Sequence, residues 1–246
     1  MIRGLYTAVS GMITQEAKQD VITNNLANVN TVGFKVDNLA TKSFNEVLLS
    51  NRDKIVNGKN VKVNLGTINF GSKIDEVATS FTQGTLGETD KETDFAINGK
   101  GFFVVERNNG INAERYYTRD GHFHVNSQGF LVNDNGDNVI GTNTETGVEE
   151  PINVNVNRLD QFNMMLVDFQ DYNSLTKIGD NMYSGDGQQV AANGDIKQYS
   201  LEKSNVNITR EMIEMMTVMR TFETNQKIIQ SLDETLGKAA NEIGRV

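Results

Sequence analysis

The sequence contains no cysteine and only one proline, Pro151. Without cysteine the chain can form no disulfide framework, no zinc–cysteine site and no catalytic thiolate. The only histidines are His122 and His124, so few side chains are suited to metal binding or proton transfer near neutral pH. These absences narrow the classes of catalytic and metal-binding protein that the chain can represent.

Basic residues and long apolar runs are also scarce. The net charge is −9 and the pI is near 4.8, which argues against binding to nucleic-acid phosphates, because that binding needs basic patches. No window approaches the roughly eighteen consecutive apolar residues that a transmembrane helix requires. The apolar stripe that follows Arg3 is broken by polar residues, so we do not expect a cleaved secretory signal. Taken alone, these features predict a cytoplasmic protein of one or two domains.

The C-terminal residues 205–246 carry a sustained helical pattern. Apolar residues recur at alternating steps of four and three, the spacing of a helix that packs lengthwise on another helix. A core helix of an ordinary globular domain is the alternative, but the average helix has only about 12 residues. The pattern therefore favours a terminal coiled-coil helix that needs a partner. Its stripe includes Ile208, Met212, Met215, Met219, Phe222, Ile229 and Leu236.

The first thirty residues also have a helical pattern, and this helix is the expected partner. Its rough apolar stripe includes Leu5, Val9, Met12 and Ile13. Gly11 lies within the stripe and costs about 1 kcal/mol of helix propensity, so the helix alone should be weak. Because the chain leaves and returns at the same end, we expect the two helices to run in opposite directions.

An asparagine-rich run follows this stripe, with Asn24, Asn25 and Asn28 in it, and Gly33 is the natural end of the helix. Asparagine favours caps and turns over helix interiors. Two interpretations stay open: the amides bond to a neighbouring chain, or the run is a frayed helix end.

The middle of the chain predicts β structure. Residues 36–80 alternate weakly and suggest an extended arm, with a surface hairpin plus a loop as the alternative. From 81 to 203, short apolar runs are separated by Gly, Asn and Asp turns, as in a meander or small barrel. Within this region the turn residues 98–101 predict a hairpin between residues 94–97 and 102–105.

The predicted fold class is α+β, with long N- and C-terminal helices packed as a coiled coil, an intervening β-rich domain and an extended arm. The predicted segments are 1–35 for the N-terminal helix, 36–80 for the arm, 81–203 for the β-rich domain and 204–246 for the C-terminal helix.

No pattern for catalysis emerges. His122 and His124 lie two apart, on one face of a predicted strand, and a metal site would need a third ligand such as Asp120 or Asp137. We interpret the pair as a solvated strand face. No serine has the flanking glycines of a nucleophile elbow, and the glycines near residue 100 do not complete a dinucleotide-binding motif. The sequence therefore predicts no enzyme, no cofactor and no metal.

Six stretches of the sequence, which make up one N-terminal, one C-terminal and two middle-domain motifs, resemble a known family. RGLYTAVSGM (residues 3–12) and NNLANVNTVGFK (24–35) resemble the N-terminal motif of the bacterial flagellar basal-body rod and hook proteins. SNVN (204–207) and RTFETNQKIIQ (220–230) resemble the family's C-terminal motif. DFAINGKGFFVV (94–105) and YTRDGHF (117–123) resemble its middle-domain motifs. One departure is Val32, where the family often has proline.

The resemblance implies a structural rod subunit, of the proximal or distal type, that assembles through its terminal helices into a helical tube and transmits torque to the hook. It implies localisation in the basal body and export by the flagellar export apparatus without a cleaved signal. The implied partners are copies of the chain itself and other rod and hook proteins. A cytoplasmic coiled-coil binding module with a β domain, unrelated to motility, is the alternative. The expected assembly interface comprises Leu5, Val9, Met12, Ile13, Asn24, Asn25, Asn28, Ile208, Met212, Met215, Met219, Phe222, Ile229 and Leu236.

Overall fold

The computed structural model describes residues 2–56, 59–108, 113–143, 147–154, 162–185 and 187–243. The structure is 40% strand and 29% helix in the part of the chain that it describes, so the protein is β-rich. The chain forms two compact units. Unit 1 contains Met1–Leu26, Asp37–Thr79 and Ile208–Val246, and unit 2 contains Ala27–Val36 and Ser80–Asn207.

Unit 1 combines two α-helices with four strands. The helices are α1 (Ile2–Ala27) and α2 (Ile208–Lys238), and α2 continues into a short π-helical segment, Ala239–Ile243. The strands are β1 (Asp37–Ser43), β2 (Val47–Val56), β3 (Lys59–Ile68) and β4 (Ser72–Thr79). In α2, no proline interrupts the helix, and Glu211 in the first turn and Lys238 in the last turn complement the helix dipole.

The strands of unit 1 form two antiparallel ladders. β1 pairs with β4, from Asp37 opposite Thr79 to Ser43 opposite Ser72, with a register shift after Ala40. β2 pairs with β3, beginning with Val47 opposite Ile68. The strands of unit 1 between residues 37 and 79 therefore form an antiparallel two-stranded ribbon.

The helix α1 ends earlier than the glycine signal predicts. Its last residue is Ala27, and the Thr31 amide donates to the Asn28 carbonyl in the turn that follows. Gly33 has a positive φ of 68° but lies six residues beyond the helix. The asparagine run therefore ends the helix, as the turn preference of asparagine favours.

The predicted coiled coil is wrong: the protein is β-rich with two α-helices, and no long coiled coil is present in the described residues. Ile208, Met212 and Met219 of the predicted stripe are all more than 40% exposed. The buried residues of α2 are instead Glu211 and Val218. Some predicted residues, such as Met215 and Phe222, are half-buried, but at the two fully buried positions the inward residue lies one place before the predicted one. Glu211 puts a polar group there, which an apolar knobs-into-holes contact does not accommodate.

The described residues of unit 2 form fifteen short strands. One sheet of eleven strands has the central order β15-β16-β8-β7-β11-β10-β9, and two further pairs are β5 with β19 and β6 with β18. The strands are β5 (Leu86–Glu88), β6 (Phe95–Asn98), β7 (Phe102–Asn108), β8 (Ala113–Thr118), β9 (His124–Val125), β10 (Leu131–Val132), β11 (Asn138–Asn143), β12 (Glu149–Pro151), β13 (Phe162–Met164), β14 (Leu166–Phe169), β15 (Thr176–Gly179), β16 (Met182–Ser184), β17 (Gln189–Ala191), β18 (Asp195–Gln198) and β19 (Ser200–Glu202). A 3₁₀ turn, Tyr172–Ser174, precedes β15.

The strand β7 is the centre of the unit 2 core. Phe103 and Val105 belong to one buried apolar cluster, and Phe102 and Val104 belong to another on the opposite side of the strand. All four are at most 1% exposed. Alternation along a strand sends neighbouring side chains to opposite faces, and full burial of each such side chain stabilises the fold by about 1.5–3 kcal/mol.

The predicted hairpin around residues 98–101 is wrong. β6 pairs with β18, from Phe95 opposite Gln198 to Asn98 opposite Asp195, whereas β7 pairs with β8, β11 and β14. Gly99 and Gly101 both have positive φ values, 119° and 135°, and they redirect the chain between separate ladders. In the described part of the chain, no helix is long and apolar enough to cross a membrane.

Candidate assembly interface

The helices α1 and α2 contact each other in antiparallel orientation. Gly11 lies opposite Asn225, and Asn25, farther along α1, lies opposite Glu211 near the start of α2. A Cβ atom at Gly11 would come within 3.0 Å of the Asn225 amide nitrogen. The glycine that lowers helix propensity therefore allows α2 to approach closely.

A buried asparagine connects three elements of unit 1. The Asn25 amide nitrogen donates to the Asp37 carbonyl at 2.8 Å and to Glu211 Oε2 at 3.2 Å. Its oxygen accepts from the Asp37 amide at 3.0 Å. Asn25 is 1% exposed and Glu211 is 6% exposed. Asn25 thus uses both ends of its amide group to join α1, β1 and α2 inside one unit.

Both helices also expose large apolar side chains. We define the apolar helix surface as the exposed apolar residues of α1 and α2. On α1 and on α2 several of these residues recur at steps of three and four, so they share one side of each helix. The surface comprises Tyr6, Val9 and Ile13 on α1, and Ile208, Met212, Ile213, Met216, Met219 and Ile228 on α2.

Comparison with known proteins identifies the family. Residues 5–35 match a family model described as flagella basal body rod protein. Residues 96–174 match the flagellar hook protein FlgE/F/G D1 domain, and residues 197–242 match the flagellar basal body rod FlgEFG protein C-terminal region. The flagellar hook-basal body complex protein FlhO of Bacillus subtilis is 33% identical, with 100% of each chain covered.

The chain belongs to the flagellar basal-body rod and hook protein family. Two further relatives are the flagellar basal-body rod protein FlgG of Borreliella burgdorferi, 33% identical over 98% of each chain, and FlgF of Caulobacter vibrioides, 31% identical over 100% of each chain. This rod protein is a structural subunit of the flagellar basal body, and the basal body is its location. The family resemblance predicted from the sequence is confirmed.

The structure distributes the predicted interface residues of this rod protein over three environments. Only Asn25 is buried. Seven are partly exposed: Leu5, Met12, Asn28, Met215, Phe222, Ile229 and Leu236. Six are exposed: Val9, Ile13, Asn24, Ile208, Met212 and Met219. The fourteen residues therefore do not form one continuous face, and Asn28 belongs to unit 2 rather than unit 1.

Four residues of the apolar helix surface were missing from the predicted set. They are Tyr6, Ile213, Met216 and Ile228, each at least 45% exposed. They lie beside the stripe predicted from the sequence, and their apolar character was the available signal. On α2, part of the inward face lies one residue before the predicted stripe, and this rotation leaves Ile213 and Met216 on the outward side.

The two histidines of unit 2 share one acidic neighbour. His122 Nδ1 lies 3.2 Å and His124 Nδ1 3.7 Å from Asp134 Oδ1. His122 Nε2 lies 3.2 Å from the Lys91 ammonium. Among the described residues, no group of three or more histidine and acidic side chains is arranged to hold a metal ion.

Next to the histidines, Asp120 has an altered acidity. Burial raises the pKa of Asp120 to about 6, although the hydrogen bond that Asp120 accepts from the His122 amide lowers this pKa. Asp134 and Asp94 raise the pKa further through their charges, while His122 lowers it. The Asp120 carboxyl group therefore changes its charge at a higher pH than an ordinary aspartate.

Proposed function

We propose that this rod protein joins neighbouring copies of itself, and other rod and hook proteins, through the apolar helix surface. The observation that carries the proposal is the position of the exposed apolar side chains. Most of those in the described residues belong to unit 1. Exposed apolar side chains that recur along one side of a helix are a feature of surfaces that associate with another protein.

The ribbon of unit 1 also exposes large apolar side chains. Val47, Leu48 and Leu49 on β2, and Leu65 and Ile68 on β3, are all at least 40% exposed. Two strands without a further layer bury little apolar area and are marginally stable alone. The ribbon therefore gains most of its stability when neighbouring subunits cover it.

Repetition of one head-to-tail contact between identical subunits produces a helical filament when the rotation does not close a ring. The terminal helices would line such a tube, and the tube would transmit torque to the hook. The exposed Asn24 and the partly exposed Asn28 are assembly contacts in this proposal, because an amide side chain can make several hydrogen bonds at once. The subunit would reach this site through the flagellar export apparatus.

Electron microscopy of basal bodies tests the proposal. In a strain that lacks the gene for this chain, we expect basal bodies without a complete rod and without an attached hook. Re-expression of the wild-type chain should restore both. Complete hook-bearing basal bodies in the deletion strain would contradict the proposal.

A further inference from the structure

Three of the buried charged side chains of unit 2 lie against one another. Lys35 is 0%, Arg119 3% and Glu202 1% exposed. The Lys35 ammonium lies 2.6 Å from Glu202 Oε1, and Arg119 Nη1 lies 3.3 Å from Glu202 Oε2. We call these three residues the charge clasp. Burial lowers the pKa of Lys35, while Glu202 counteracts that effect.

Backbone groups complete the charge clasp. Glu202 Oε1 accepts from the Gly84 amide at 2.7 Å, and Lys35 donates to the Thr82 carbonyl at 2.9 Å. Arg119 Nη2 donates to the Gly99 carbonyl at 3.0 Å. The three charged residues come from parts of the chain that are distant in sequence, and their hydrogen bonds also hold the backbone at residues 82–84 and at Gly99.

An uncharged side chain reinforces the same region. Asn205 accepts a hydrogen bond from the Val36 amide at 2.8 Å and donates to the Ser80 carbonyl at 2.9 Å. The Ser80 amide donates to the Val36 carbonyl at 2.9 Å. Val36 and Ser80 are each the terminal residue of a unit 2 segment, and Asn205 lies two residues before the last residue, Asn207.

A glycine permits the close packing at the charge clasp. A Cβ atom at Gly33 would lie 2.5 Å from the carbonyl carbon of Arg119, which no side chain can tolerate. The Gly33 amide donates to the Glu202 carbonyl at 2.8 Å. The segment that follows α1 is thus held against residues 119 and 202 by its backbone as well as by Lys35.

Stability alone does not explain a buried group of three charges. Removing charges from water costs several kcal/mol per ion, and apolar replacements of buried ion groups are often as stable. Buried polar groups can instead select one arrangement of the chain among several of similar packing energy. Hydrogen bonds from charged groups to specific carbonyls and amides are directional enough to make that selection.

We propose that Lys35, Arg119 and Glu202 are positioning residues for assembly: they fix the course of the chain segments that lead from unit 2 to the helices. This inference rests on the proposed function, in which α1 and α2 form the contacts between subunits. The segments held by the charge clasp and Asn205 precede α2 and follow α1 directly. A subunit with loose segments would present its helices in variable directions and would assemble poorly.

The test uses Lys35→Met in the full-length chain. Methionine is apolar and unbranched, and the variant leaves a neutral Arg119–Glu202 pair, so we expect it to fold. Lys203→Met is the matched control, because Lys203 is exposed and follows Glu202 in sequence. Asn205→Ala is a second variant that loosens Val36 and Ser80 without changing any buried charge.

Hydrogen exchange of the purified monomer measures the charge clasp without assembly. In Lys35→Met and in Asn205→Ala, we expect the amides of residues 31–36 to exchange about tenfold faster, with β7 unchanged. Basal-body yield should fall in both variants and stay normal in Lys203→Met. Unchanged exchange at residues 31–36 would overturn the inference, and so would normal basal-body yield despite faster exchange. Failure of the proposed function itself would be recognised separately, by complete basal bodies in the deletion strain.

Discussion

Asn25 of α1 donates a hydrogen bond of 3.2 Å to Glu211 of α2, and both side chains are buried. The contact joins two residues that lie 186 positions apart in the sequence. A polar pair therefore occupies the inward side of the helix contact, where the sequence pattern favoured apolar packing. The contribution of this polar pair to the free energy of unfolding can be measured with single substitutions.

We expect Asn25→Leu to destabilise unit 1 by about 1–3 kcal/mol, because it removes the hydrogen bonds of the buried amide to the Asp37 backbone and to the buried Glu211 carboxylate. Urea unfolding followed by circular dichroism at the helix band measures this change. Asn24→Leu is the control, since Asn24 is exposed on the same turn. It should change stability by no more than about 0.5 kcal/mol. Equal unfolding midpoints for the two variants would contradict the role given to Asn25.

We expect Met219→Asp to block assembly without unfolding the monomer. Met219 is 41% exposed, so the new carboxylate stays hydrated in the free subunit. When a neighbouring subunit covers the apolar helix surface, an unpaired carboxylate there costs several kcal/mol. Basal-body yield and motility measure the effect, and Thr224→Asp adds the same charge at an exposed polar position as a control. Normal swimming with Met219→Asp would rule this surface out as a contact.

We expect Asp120→Asn to make unit 2 less sensitive to pH. The native pKa of about 6 lies above the ordinary value of 3.8, so the native state binds more protons between these values. The contribution of Asp120 to stability is therefore greatest at low pH and falls as the pH rises from about 4 to about 6.

At pH 7.5 the asparagine variant should be more stable than the wild type by on the order of 2–3 kcal/mol, and this difference should vanish near pH 4. Asparagine retains the oxygen that accepts from the His122 amide. Thermal unfolding midpoints between pH 4 and pH 7.5 provide the measurement. If the difference in stability between the two proteins were the same at every pH in this range, the buried charge of Asp120 would not be its cause.

We expect the double variant His122→Gln with His124→Gln to retain motility. The side chain of His122 is 31% exposed and that of His124 is 48% exposed. Substitutions at such positions usually change stability by less than about 0.5 kcal/mol. Motility and the thermal midpoint measure the outcome. Stoichiometric zinc in chelator-washed wild-type protein, lost in the double variant, would instead indicate a metal site.

The sequence identified the two terminal helices and the β-rich middle through periods of about 3.6 and 2 residues, because local periodicity reflects local backbone geometry. It could not identify the face of α2 that turns inward. Val218 and Met219 are adjacent and both apolar, and moving by one residue along an α-helix rotates the side-chain direction by about 100°. Only the tertiary packing around α2 decides which of them is buried.

Strand pairing and the buried charges also could not be predicted from the sequence, because they depend on contacts between distant residues. The turn residues around Gly99 favoured a local hairpin, yet β6 pairs with β18, which lies almost a hundred positions later in the chain. Lys35 and Glu202 were indistinguishable from surface charges in the sequence, since nothing local shows that they meet. The sequence alone determined which segments become helix or strand and to which family the chain is related. The tertiary structure decided which faces, edges and charges meet, because those contacts join residues that are distant in sequence.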